Sequence, residues 1–173
     1  MRLLIKPGHL IFIKVVIHLS ALLPFIFTFY QAATDQLGGD PVESILHFTG
    51  IGALNLLLIS LFVSPLAKVF KAGQLVKTRR LLGLYSFFYA LCHFLSFILF
   101  ELQLEWSLVF SEIIQRPYIT VGFVALVILA SLAMTSTRWA QKQLGVHWQK
   151  LHNWVYLAAL LIALHYIWSV KSD

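Results

Sequence analysis

The stretch that decides the fold runs from Leu81 to Leu102, LLGLYSFFYALCHFLSFILFEL. As an α-helix rising about 1.5 Å per residue, it is long enough to cross a hydrocarbon core about 30 Å thick. It lacks the alternation of apolar and polar residues expected of a membrane β-strand. A spanning segment must also satisfy its backbone hydrogen bonds within itself, so helix is the assignment. Four further apolar runs of this kind lie on either side: Leu10 to Tyr30, Ile45 to Leu66, Tyr118 to Thr135 and Leu151 to Val170. The sequence therefore predicts an all-α integral membrane protein, a bundle of about five transmembrane helices forming a single domain over residues 1–173.

Composition agrees with that class. Hydrophobic residues make up 60% of the chain, mean hydropathy is +0.83, and charged residues are 12%, about half the usual fraction for soluble domains. The charges are distributed by side. Arg2 and Lys6 precede the first span; Lys68, Lys71, Lys77, Arg79 and Arg80 lie between the second and third; Arg138, Lys142 and Lys150 lie between the fourth and fifth. The alternate segments carry Asp35, Asp40, Glu43, Glu101, Glu105, Glu112 and Asp173, with Arg116 and Lys171 as the basic exceptions. Because Lys and Arg stay on the cytoplasmic side of short loops, the N-terminus is expected in the cytoplasm and the C-terminus in the periplasm. The first apolar run is too long for a signal-peptide core and shows no small-residue cleavage site, so it reads as retained.

Topology also accounts for the formal charge of +6, which makes nucleic acid an unneeded partner. The single cysteine, Cys92, excludes an internal disulfide and a cysteine-held iron–sulfur centre or structural zinc. No GxGxxG fingerprint or phosphate loop is present, so the chain carries no evident nicotinamide site.

Histidine is the unusual inventory. His18, His47, His93, His152 and His165 lie in or at the ends of the spans, where ionisable residues call for an explanation. Entering from Arg80, His93 lies 13 residues into the third helix, about 20 Å deep. Counting from Leu151, His165 lies 14 residues into the fifth, about 21 Å. Two imidazoles at one depth can ligate one haem iron from opposite faces and leave no open position for substrate. His152, 13 residues before His165, makes a second site conceivable, but the matching position on the third helix holds Arg79 and Arg80, which are not haem-iron ligands. An ideal helix also turns about 220° over 13 residues, so tilt or ring orientation must bring both histidines inward.

HFTG at 47–50, TRRLLGL at 78–84, RPY at 116–118, LGVHWQKLHN at 144–153 and HYIWSVK at 165–171 resemble, in order and in placement at helix ends, the ferric-reductase-like transmembrane family. Within it the resemblance is to the haem-binding membrane subunits of periplasmic methionine sulfoxide reductase systems, and it spans almost the whole chain. It implies a b-type haem protein of the bacterial inner membrane that passes electrons outward to a molybdopterin-containing reductase of the MsrP type. It also implies an association with FMN and an electron source in a cytoplasmic flavin reductase, a quinol, or both. Carried over by motif, His93 and His165 are the axial pair, and His152 is a candidate for a second haem or for flavin contact. Two departures stand out: members of the family have a sixth spanning helix where this chain shows five, and the inner partner on the third helix is absent. One haem is therefore favoured.

His47, at the start of the second helix, fits a haem-propionate contact or an interfacial cap. Arg79 and Arg80 suit a flavin phosphate or haem propionate, although setting topology explains them as well. Ordinary interhelical hydrogen bonding is the expectation for His18 and Asn55, and a solvated loop position for His147. Two other readings compete: direct reduction of ferric iron or oxygen without a protein acceptor, and a transporter or structural subunit without haem. The fourth span, with only Thr120 and Ser131 as polar side chains in its body, argues against a pore.

Overall fold

The computed structural model describes residues 7–172, so Arg2, Lys6 and Asp173, used in the charge reading, lie outside the described residues. The described chain is helical: α1 (Pro7–Ala33), α2 (Pro41–Val69), a 3-10 segment (Gly73–Thr78), α3 (Arg79–Ser96) running into a π turn (Phe97–Glu101), α4 (Trp106–Gln115), α5 (Pro117–Met134), α6 (Arg138–Leu144), α7 (Val146–His152) and α8 (Val155–Ser172). Five segments among the described residues are long and apolar enough to cross a membrane: Pro7–Ala33, Pro41–Val69, Gly73–Glu101, Pro117–Met134 and Val146–Lys171. They correspond to the five expected spans, with shifted ends. Helix α2 starts four residues before Ile45 because Asp40 caps it, its side chain accepting the Glu43 N–H at 2.9 Å, and Pro41 occupies the first turn, where a missing N–H costs nothing. Pro117 starts α5 in the same way.

The chain forms two compact units, residues 1–89 and 90–173, and α3 begins in the first and ends in the second. In the first unit, α2 buries one stripe, Ile45, Thr49, Ala53, Leu57, Ser60, Val63 and Ala67, whose three- and four-residue steps mark a single helix face. Hydrogen bonds to backbone carbonyls reinforce that face. Ser86 Oγ donates to Ala53 O at 2.9 Å, Ser60 Oγ to Arg79 O at 3.2 Å, and Tyr89 Oη to Ala21 O at 2.6 Å. Gly52 lies under the Tyr89 ring: a Cβ built there would come within 2.5 Å of both Cδ1 and Cε1.

In the second unit α5 and α8 pack closely, with Ala125 and Ala158 both at 0% exposure. Small residues let two backbones approach where lipid supplies no hydrophobic drive. Helix α4 was not foreseen. Its apolar arc divides between Val109, buried against Ile98 and Leu102, and the exposed Trp106, Phe110 and Ile114. The π turn closes with Leu102 N–H to Phe97 O at 3.0 Å. Gln103 and Leu104 follow with φ of 49° and 63°, the left-handed region that turns the chain sharply into α4.

The fifth span, expected as one helix from Leu151 to Val170, is divided at Asn153 and Trp154. There Trp154 N–H bonds Leu151 O at 3.0 Å and Tyr156 N–H bonds Asn153 O at 3.2 Å, the tighter i to i+3 pattern. That local change of pitch takes the place of the continuous 220° rotation assumed for an ideal helix. As a result, His152 and His165 both find partners on α5 or the residue that ends it.

Candidate functional site

The second unit brings the two deepest histidines together. His93 comes from the last turn of α3 and His165 from the second half of α8; both are half-buried. Their ring centres are 6.1 Å apart and their planes cross at 79°. Metal–imidazole bonds are about 2.0 Å, so an ion held between two facing ring nitrogens sets the ring centres about 6 Å apart. The spacing of the two rings matches that of a two-imidazole site. No group of three or more His, Cys, Asp or Glu residues able to hold a metal occurs among the described residues.

His165 is held from behind. Its Nδ1 is 2.8 Å from the main-chain oxygen of Tyr118 in the first turn of α5. A carbonyl can only accept, so Nδ1 carries the proton and the lone pair lies on Nε2, the nitrogen a metal would use. The Tyr118 ring lies nearly parallel to the imidazole, at 26° with centres 6.2 Å apart. Tyr118 Oη accepts from Arg116 Nη1 at 3.1 Å, and Arg116 Nε pairs with Glu112 at 2.7 Å, so the turn that holds His165 is itself tied to α4. Gly122, one turn further along α5, faces the imidazole: a Cβ there would lie 2.8 Å from Nδ1, 3.0 Å from Cε1 and 3.1 Å from Cγ.

His152 has a different setting. Thr135 Oγ1 donates to Ser131 O at 2.7 Å and stands 3.2 Å from His152 Nε2. With the hydroxyl hydrogen committed, Oγ1 accepts from Nε2, so here Nε2 carries the proton. The Trp148 ring stacks on His152 at 4.0 Å and 25°, while its Nε1 donates to Thr135 O at 2.9 Å. The three side chains pin the end of α5 to α7. His152 has no second histidine among the ring contacts described.

His147, expected in a loop, is exposed on α7 of this unit, and the other expected residues lie in the first unit. His47 is exposed in the second turn of α2. Arg79 is engaged, its Nη1 donating to Ser64 Oγ at 2.8 Å, whereas Arg80 is exposed. His18 makes the interhelical bond expected of it, through Nδ1 to Tyr85 Oη, with the rings edge to face. Sequence reasoning missed Gly122 and the Tyr118 carbonyl. Only the isolated glycine within an apolar helix could have pointed to a close approach.

Fold and histidine pair together define a multi-pass helical membrane protein with a paired-imidazole site inside its helices. The family model for the ferric reductase like transmembrane component matches residues 48–163, which takes in His93 and His152 and stops two residues before His165. The chain belongs to that family. It is 49% identical over 172 residues to the protein-methionine-sulfoxide reductase heme-binding subunit MsrQ of Enterobacter sp. (strain 638), covering 99% of this chain and 85% of the relative. To the MsrQ subunit of Yersinia pseudotuberculosis serotype O:1b (strain IP 31758) it is 46% identical over 173 residues, covering 99% of this chain and 84% of the relative.

Proposed function

We propose that this chain is the haem-binding electron conduit of a periplasmic methionine sulfoxide reductase system. A single domain over residues 1–173 would sit in the bacterial inner membrane with its N-terminus in the cytoplasm. The observation that carries the reading is the separation of the His93 and His165 rings, 6.1 Å, with His165 Nδ1 bonded to a carbonyl. The names of the relatives and the charge asymmetry of the loops support it.

In this reading His93 and His165 hold one b-type haem. Bound haem would supply a one-electron carrier, and His93 and His165 are the residues that would hold it. The protein's own residues do the rest: the Tyr118 carbonyl fixes one ring, and the apolar walls of α5 and α8 keep water from the site. Electrons enter from a cytoplasmic flavin reductase or a quinol and leave to a molybdopterin-containing subunit of the MsrP type. No general acid or nucleophile is required of this chain. In the fuller version His152 would contact a second haem or an FMN; separately, Arg79 and Arg80 would pair with a flavin phosphate or haem propionate, and His47 would bond a haem propionate. One haem is preferred because His152 Nε2 is committed to Thr135.

Oxidised and dithionite-reduced spectra of the protein in mild detergent, with a pyridine haemochrome count, test the reading. The expected result is a low-spin b-type spectrum at about one haem per chain, abolished by His93→Ala or His165→Ala. A folded, haem-free protein would overturn it and favour a transporter or structural subunit. Normal haem in both variants would remove the axial assignment.

A further inference from the structure

At Gly122 the three heavy atoms nearest to where a Cβ would stand all belong to one side chain, His165. We propose that Gly122 and the main-chain carbonyl of Tyr118 form the positioning element that presents His165 to the iron. The proposal rests on the haem reading above.

Two independent features converge on this turn. The first is steric: the Nδ1, Cε1 and Cγ atoms of His165 occupy the space where a side chain at 122 would begin, at 2.8 to 3.1 Å. The second is polar. In an α-helix the Tyr118 carbonyl receives the N–H of residue 122, which uses one of its two lone pairs. His165 Nδ1, at 2.8 Å, takes up the other. The ring reaches that second lone pair by lying flat across the turn from 118 to 122, and only glycine leaves the surface of that turn bare. Shape and hydrogen bond therefore specify one ring position and one tautomer.

The consequence for ligation is direct. With its proton held at Nδ1, His165 offers Nε2 as a ligand, and the carbonyl behind it fixes the ring's orientation. His152, earlier in the same span, has the opposite arrangement, its Nε2 proton directed at Thr135. The backbone thus distinguishes two histidines that sequence cannot tell apart.

The test is Gly122→Ala in the full chain, set against wild type, His165→Ala and Gly52→Ala. Haem affinity should fall about 10- to 100-fold, the usual range when the group orienting a metal-bound histidine is removed. Any haem retained should show an altered low-spin spectrum and a shifted midpoint potential. Gly52→Ala, which crowds a tyrosine, should change neither spectrum nor potential. Should Gly122→Ala fail to fold, nitrogen NMR of histidine-labelled wild type in the reduced, diamagnetic state decides: the His165 Nδ1 proton should be present and slow to exchange. A Gly122→Ala protein with wild-type occupancy, spectrum and potential, or a freely exchanging Nδ1 proton, overturns the proposal. Haem-free wild type, or unchanged haem in His165→Ala, would instead defeat the haem reading beneath it.

Discussion

Gly52 of α2 takes the ring of Tyr89 in the first unit, and Gly122 of α5 takes the ring of His165 in the second. In each case a flat ring crosses a bare helical turn and ends its polar atom on a backbone carbonyl, that of Ala21 for Tyr89 and that of Tyr118 for His165. The rings differ in what they have left to offer. A phenol has one hydroxyl, and in Tyr89 that proton is committed, so the contact only joins helices. An imidazole has two nitrogens, and bonding one of them aims the other. The same packing device therefore yields a fastener in one unit and a candidate ligand in the other.

The comparison can be broken at several points beyond the loss of haem expected in the axial variants. The largest remaining effect should come from Gly52→Ala, where the new methyl would meet two ring carbons of Tyr89 at 2.5 Å. Overpacking of this kind costs about 1–3 kcal/mol. Thermal unfolding in detergent should begin at lower temperature, while the reduced-minus-oxidised spectrum keeps its shape; a spectral change like that of Gly122→Ala would erase the distinction between the two seats. Tyr89→Phe should cost less. It removes only the hydroxyl that reaches Ala21, and interhelical hydrogen bonds in membranes average about 0.6 kcal/mol with a maximum near about 1.7. A larger loss of stability would show that the hydroxyl, rather than the ring, dominates the contact. The smallest effect on haem belongs to His152→Ala, with haem per chain unchanged. A halved haemochrome count there would reveal a second ligand seat and give the His152 cluster the role reserved here for His165.

The spans were legible because an apolar run of membrane length permits little besides a helix, and the third run showed this without any partner. Depth counting also placed His93 and His165 at one level, since rise per residue is fixed by helix geometry. What stayed hidden depends on atoms that every residue shares or on local departures from ideal pitch. The Tyr118 carbonyl has no sequence signature, and Gly122 reads equally as a weak point in a helix. The division at Asn153 and Trp154 turns on i to i+3 bonds that composition does not announce. Helix α4, ten residues long, falls below the length at which an apolar run commands attention, and its hydrophobic arc is shared between a buried and an exposed half. The Thr135, Trp148 and His152 cluster joins residues that the sequence distributes over a loop and two helices.

The π turn at Phe97–Glu101 bears on how this gene can change in length. A π turn accommodates one residue more than the α-helical turn it replaces, so it is the structural form of a one-codon insertion. Ile98 and Leu102, at its two edges, are the residues on which Val109 of α4 is seated. Because the turn already absorbs the extra residue, deleting one codon between 97 and 101 would restore ordinary α pitch and leave Leu102 facing that seat. His93, four residues upstream of Phe97, would keep its place in α3. Single-residue deletions should therefore be tolerated in this short window, whereas one in the regular body of α3 would turn everything beyond it by about 100° and unseat α4.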